Sequence, residues 1–188
     1  MRSVLEPLEL TQLFAQPQPL EVELGCGDAS FLVEYAAQNL ERNFIGVERL
    51  LGRIQKLERK SNRIGLKNLR GVRIESSYFL RFLLSPHSVS ALHIYFPDPW
   101  PKKRHRKNRL INEQFPRLAA DALSANGVVY LRTDDADYFQ QMIEVFSAAK
   151  DFEKTETPLE LAKITTDFER DFNSKGIPTL RAAYRKKN

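Results

Sequence analysis

The chain has 188 residues, 42% hydrophobic and 28% charged, which is one domain's length with material for a core and excludes disordered, collagen-like and disulfide-rich classes. Its 29 Lys and Arg against 24 Asp and Glu leave +5, an excess too small to establish a polyanionic partner, so where the charge sits matters more than its sum. The single cysteine, Cys26, excludes an internal disulfide and a multi-thiolate metal site, and no run reaches the ~18 apolar residues of a membrane helix.

Residues 1–19 carry Glu6, Glu9 and three prolines among short apolar groups, so they read as a short extension without the plan of a secretory signal. A cytoplasmic location is expected. The first strand is Leu20 to Leu24, ending at Gly25-Cys26-Gly27, and Asp28 is placed to cap a helix burying Phe31, Leu32, Tyr35 and Ala36. Phe44 to Glu48 is a second strand. Arg49 to Ile64 is a basic amphipathic helix with Leu50, Leu51, Ile54, Leu57 and Ile64 on its buried face, and Gly65 follows as its C′ residue. Leu69 to Ile74 and Val89 to Phe96 are the next strands. A helix then runs to Leu123, with Pro116 in its first turn or at a kink. Asn126-Gly127 marks a turn before the strand Val128 to Thr133, and Asp134 is placed to cap a helix with Tyr138, Phe139, Met142, Ile143 and Phe146 as its apolar face. Phe152 to Thr157 and Leu180 to Tyr184 are two further strands around an irregular stretch, 158–179.

This alternation predicts a single α/β domain over 1–188, with a mostly parallel sheet, helices on both faces and a different final pair of strands. Ligands of such sheets bind beyond the carboxyl ends of the strands. At the first of these ends, Gly25 and Gly27 allow a tight turn and close approach of a cofactor to backbone, although Ser30 stands where a third glycine would complete the dinucleotide pattern. Glu48 follows Gly27 by 21 residues, where a carboxylate can accept both hydroxyls of a ribose. An adenosine-containing cofactor is indicated, with NAD and S-adenosylmethionine both open.

Pro97-Asp98-Pro99-Trp100-Pro101 is a stiff loop that can hold Asp98 at the fourth strand end. Lys102, Lys103, Arg104, Arg106, Lys107 and Arg109 then place six positive charges in eight positions, a pattern suited to a phosphate backbone. Asp134 and Asp135 close the fifth strand, one able to cap the helix and one left for a ligand. His87, His93 and His105 have no metal-like spacing and no nucleophile partner, so no metal is expected.

The chain resembles the bacterial tRNA (guanine-N7-)-methyltransferases from about Leu20 to Arg185. The resemblance rests on PDPWPKKRH (Pro97 to His105), ELGCG (Glu23 to Gly27) and the T-x-F-E box (Thr166 to Glu169), in that order. It implies a Rossmann-like, S-adenosylmethionine-dependent methyltransferase fold acting on N7 of a guanine in the tRNA variable loop. It further implies that Glu23, Gly25, Gly27, Glu48 and Asp98 bind the cofactor, with Asp98 catalytic. The position after the third strand, usually Asp or Asn in the family, falls on Ser76, or on Glu75 after a one-residue shift. Lys102, Asp134, Thr166, Asp167, Phe168 and Glu169 would contact the guanosine, which makes 158–179 a substrate-binding segment. Lys103, Arg104 and Arg106 would contact the RNA backbone. Monomer and homodimer both remain open.

The competing readings explain less. An NAD-dependent oxidoreductase would not need the PDPW loop, and no tyrosine has Lys four positions on. Methyltransferases of exocyclic amines or protein glutamine carry N-P-P-Y or D-P-P-Y at this place. A non-catalytic RNA-binding module would have no use for Glu23, Glu48 and Asp98 together.

Overall fold

The computed structural model describes residues 7–188, so the first residues of the N-terminal extension, including Glu6, lie outside the described residues. A short helix α1 (Leu10–Leu13) precedes β1 (Leu20–Leu24), α2 (Ser30–Gln38), β2 (Asn43–Glu48), α3 (Leu51–Arg63) and β3 (Leu69–Arg73). Next come α4 (Ser76–Tyr78), continued by a π-turn over Phe79–Leu83, then β4 (Val89–Tyr95) and a 3-10 turn over Lys103–Asn108. The remainder is α5 (Phe115–Ala122), β5 (Leu123–Thr133), α6 (Ala136–Ala148), β6 (Phe152–Thr155), α7 (Leu159–Lys163), α8 (Asp167–Ser174) and β7 (Leu180–Lys186).

The seven strands form one sheet in the order β3-β2-β1-β4-β5-β7-β6. Strands β1 to β5 are parallel, whereas β7 runs antiparallel to both β5 and β6. The chain leaves β1 toward β2 on one side and returns to β4 on the other, so the strand order reverses between β1 and β4. That reversal opens a crevice at the carboxyl ends of the strands.

Alternation along the strands explains two different faces. Val22, Leu24, Ile45, Leu92, Ile94, Val129 and Leu131 pack with Phe79, Phe115, Met142 and Phe146 in the larger core. The other face packs under α2 and α3 through Phe31, Leu32, Tyr35, Phe44, Leu57 and Tyr95. It also holds polar side chains: Glu21 accepts from His93 Nε2 (2.7 Å) and Arg42 Nη1 (2.6 Å). Burial pushes the Glu21 carboxyl up, but His93 and Arg42 outweigh it and hold the group below the ordinary carboxylate range. On this face Gly46 is required by close approach, since a Cβ there would lie 2.6 Å from Leu57 Cδ1 and 2.9 Å from Cys26 Sγ.

Several local expectations are corrected. Leu50, Leu51 and Ile64 are exposed, because they lie at the two ends of α3, which is buried through Ile54, Leu57 and Ser61. Asp135, not Asp134, caps α6, accepting from Tyr138 N at 2.7 Å. The Asn126-Gly127 turn lies inside β5 as an irregularity in its pairing with β4, with Asn126 at φ +61°. The stretch 158–179 is not irregular throughout: it contains α7 and α8, whose short lengths escape periodicity.

Candidate active site

The turn after β1 builds the first part of the site. Gly25 N and Cys26 N both donate to Val47 O (2.8 and 3.0 Å), which ties the turn to β2. Gly25 has φ +80°, and a Cβ on it would meet no atom within 4 Å, so this backbone faces open space. Asp28 does not cap α2 from the N-cap position, which Ala29 occupies, but it accepts from Ser30 N at 3.2 Å and pairs with Lys60 at 3.0 Å. Burial opposes its charge, yet Asp167, Lys60 and Ser30 together hold its carboxyl well below the usual range. Glu23, at the end of β1, is 3% exposed, and its Oε2 has no hydrogen-bond partner. Burial, reinforced by Asp28 and Glu48 and partly offset by Arg132, pushes its carboxyl up to about 8. The neighbouring Cys26 thiol is pushed up by burial and by the same two glutamates, which leaves it inert as a nucleophile.

A cavity of about 780 Å³ opens over the carboxyl ends of β1, β2, β3 and β4, lined by Gly25, Glu48, Glu75, Ser76, Asp98 and Trp100 among others. Glu48 is fixed at its edge: Oε1 accepts from Arg49 N (2.7 Å) and Leu50 N (3.0 Å), and Oε2 lies 3.3 Å from Arg53 Nη1. Glu75 caps α4 with both oxygens, accepting from Ser77 N (2.9 Å) and Tyr78 N (2.7 Å). Arg49, Leu50, Arg53 and Asn108 also line the cavity, although the sequence reading assigned them no part in the site. For Leu50 the available signal was an apolar residue two positions after Glu48 at the strand end.

The PDPW loop is held in place by buried contacts. Phe96 and Trp100 both sit at positive φ (+50° and +45°), a conformation unfavourable for aromatic residues and retained only when the surroundings enforce it. Arg109 supplies that enforcement. Buried at 1% exposure, it donates to Pro99 O (2.7 Å), Gln141 Oε1 (2.7 Å) and Asp137 Oδ2 (2.6 Å), and it lies over the Tyr138 ring. Arg109 therefore belongs to the loop's interior and not to a phosphate-facing run. Arg106 is also engaged, by Asp137 at 2.9 Å, whereas Lys102, Lys103, Arg104 and Lys107 are exposed.

The tail reaches back over this end of the sheet. Thr166 Oγ1 caps α8 by accepting from Glu169 N (2.9 Å), and Asp167 N donates to Ser30 Oγ (3.1 Å) beside the glycine turn. Phe168 is half exposed, and Phe172 meets Phe96 at 6.0 Å between ring centroids. Glu169 is fully buried, with Arg132 at 3.0 Å on one oxygen and Arg181 on the other. Gly25, Glu48, Ser76 and Asp98 thus share one cavity. Glu23 lies buried at the same strand end, and Gly27, at φ +53°, completes the turn. Lys102, Asp134 and Thr166 to Glu169 lie outside that lining.

Residues 17–182 match the family model described as "Putative methyltransferase". The tRNA (guanine-N(7)-)-methyltransferase of Alkalilimnicola ehrlichii is 33% identical over 97% of this chain and 78% of its own length. The chain belongs to the tRNA (guanine-N(7)-)-methyltransferase family. The family member of Thermotoga maritima is 31% identical over 96% of the chain, which spans 58% of that longer protein. Among solved structures, the 16S rRNA methyltransferase KamB superposes with a TM-score of 0.70 at 16% identity, over 96% of this chain and 93% of that one. A precorrin-6y C5,15-methyltransferase from Geobacter metallireducens superposes at 0.61 and 15% identity, over 95% and 85%. These likenesses show the Rossmann-like methyltransferase fold expected for the family.

Proposed function

We propose that the protein transfers a methyl group from S-adenosylmethionine to N7 of a guanine in the variable loop of tRNA. The observation that carries this reading is the convergence of Glu48 and Asp98 on one cavity at the β1/β4 crevice, beside a loop whose exposed cations face outward. The residues present fit the cofactor. The orphaned, buried Oε2 of Glu23 wants a cationic partner, and the bare backbone at Gly25 leaves room for a ligand to approach.

When bound, S-adenosylmethionine supplies a methyl group on a positively charged sulfonium. Glu23 would hold the cationic amine of the methionine end. Glu48, its carboxylate already oriented by two backbone amides, would accept the ribose hydroxyls with its remaining lone pairs. Ser76, or Glu75 with the lone pairs it does not use in capping α4, would hydrogen-bond the adenine. Asp98 would stand at the reacting end. Lys102, Asp134, Thr166, Asp167 and Phe168 would hold the guanosine, with Glu169 acting from below, and Lys103 and Arg104 would meet phosphates. Arg106, partly neutralised by Asp137, would contribute less.

Guanine N7 carries an unprotonated lone pair, so no general base is needed. The residues then act chiefly by alignment, worth up to about 7–11 kcal/mol in ideal cases. Positive charge shifts from sulfur to the purine during transfer, and the carboxylates of Asp98 and Asp134 would stabilise it there. Incubation with unmodified tRNA and methyl-labelled S-adenosylmethionine, followed by nucleoside mass spectrometry, tests the proposal. Label in 7-methylguanosine supports it; label in another nucleoside, or none under single-turnover conditions, overturns it.

A further inference from the structure

Arg132 lies in the apolar run of β5, and neither the strand pattern nor the proposed chemistry accounts for a cation there. It is 1% exposed and stacks over Tyr95, with its guanidinium carbon 4.2 Å from the ring centroid. All three of its short polar contacts go to one place. Nη1 donates to Ile164 O (2.7 Å) and Glu169 Oε2 (3.0 Å), and Nη2 donates to Leu161 O (2.6 Å). These partners span α7, α8 and the turn between them. The sheet itself does not need the contact, because Arg132 is already paired with Tyr95 of β4 and Arg181 of β7. A buried ion pair seldom stabilises more than an apolar replacement of the same size, but removing one partner leaves a strongly unfavourable charge. Arg132 and Glu169 therefore favour one docked position of the 159–174 segment over all others.

The docked segment in turn touches the strand ends: Asp167 N donates to Ser30 Oγ beside the glycine turn at 3.1 Å, and Phe172 meets Phe96 after β4 with 6.0 Å between ring centroids. One side chain thus holds the segment carrying Thr166, Asp167 and Phe168 against this end of the sheet.

We propose that Arg132 is a positioning residue that locks the 159–174 segment over the strand ends, so that one buried cation holds Thr166, Asp167 and Phe168 in place for the guanosine. This inference deepens the proposed function and rests on it for the identity of the RNA. A planar fork can hold three divergent acceptors, whereas an ammonium keeps the charge without that geometry.

The test compares Arg132→Met, Arg132→Lys and Glu169→Gln. It reads calorimetric affinity for S-adenosylhomocysteine, hydrogen exchange of residues 159–174 without RNA, and kcat and KM on tRNA. Arg132→Met is expected to raise the tRNA KM by about tenfold or more and to speed exchange of the segment, with S-adenosylhomocysteine affinity within about threefold of the parent. Arg132→Lys should keep KM high and the segment's exchange fast in the same way. Glu169→Gln should speed exchange in the segment and raise KM.

Parental exchange and KM in Arg132→Met would overturn the proposal. So would loss of exchange protection across the whole protein with S-adenosylhomocysteine affinity falling alongside KM. If Arg132→Met does not fold, Arg132→Lys decides by the same readings. Parent protein inactive on tRNA would defeat the functional reading instead, while exchange of 159–174 would still judge the role of Arg132.

Discussion

Replacing Glu23 by Gln should remove the acidic limb from the pH profile of cofactor binding. The Glu23 carboxyl is raised to about 8. It is then about 9% ionised at pH 7 and about 1% at pH 6 by simple titration. Its proposed partner, the α-amino group of S-adenosylhomocysteine, is that of a free amino acid beside its own carboxylate and stays protonated up to about pH 8. The product of the two fractions therefore rises about ninefold from pH 6 to 7 and about fivefold more from pH 7 to 8. Affinity for the competent pair scales with that product. The other groups around Glu23 do not blur the profile. Tyr95 and Cys26 are pushed up by burial and stay neutral in this range, and Asp28 is held low and stays charged.

The same group sets a stability trend. The unfolded carboxyl ionises near 4.5 and the folded one near 8, so the folded state binds the extra proton between these values. Stability of the ligand-free protein therefore falls as pH rises through that window, by at most about 5 kcal/mol, and levels off above it. Glu23→Gln should raise the melting temperature of the ligand-free protein at pH 8.5, give no gain at pH 4, and lose most of its affinity for S-adenosylhomocysteine at pH 8. Calorimetric titration from pH 6 to 9 with parallel thermal melts would measure this. A flat affinity profile in the parent, or parental affinity in the variant, would refute the reasoning.

Asp98→Asn should lower kcat on tRNA by about 100-fold or more while tRNA affinity stays within about threefold, as single-turnover kinetics and filter binding would show. Neutralising Lys102, Lys103 and Arg104 together should flatten the slope of log affinity against log salt by about 2 to 3, with unchanged melting temperature; an unaltered slope would make the run a solvated loop. Arg109→Met should act oppositely, losing roughly 3 kcal/mol of stability in denaturant titrations with little change in the salt slope, because this arginine faces inward. Gly46→Ala should destabilise by about 1–3 kcal/mol through its clash with Leu57 and Cys26.

The strand ends were legible because β-branched and aromatic runs stop at glycine, proline or acidic residues, which put Glu23, Glu48 and Asp98 at the correct edge of the sheet. The side-chain fate of charged residues was less legible, since sequence spacing carries no direction. Arg109 reads like its five basic neighbours, yet only the fold brings Asp137, Gln141 and Pro99 around it. Glu169 looks like part of an exposed box, but Arg132 and Arg181 reach it from strands 37 and 12 residues away. Leu50 and Leu51 fit a helical stripe and are still exposed, because they stand at the N-terminal end of α3, where Leu50 lines the open cavity. The short α7 and α8 have too few turns for periodicity, and their positions come from tertiary contacts with β5 and Ser30.

The most direct test of N7 transfer uses two otherwise identical tRNA transcripts, one with guanosine and one with 7-deazaguanosine in its place. With methyl-labelled S-adenosylmethionine, the first should yield labelled 7-methylguanosine and the second no label. Undiminished transfer to the 7-deaza transcript would contradict attack through N7.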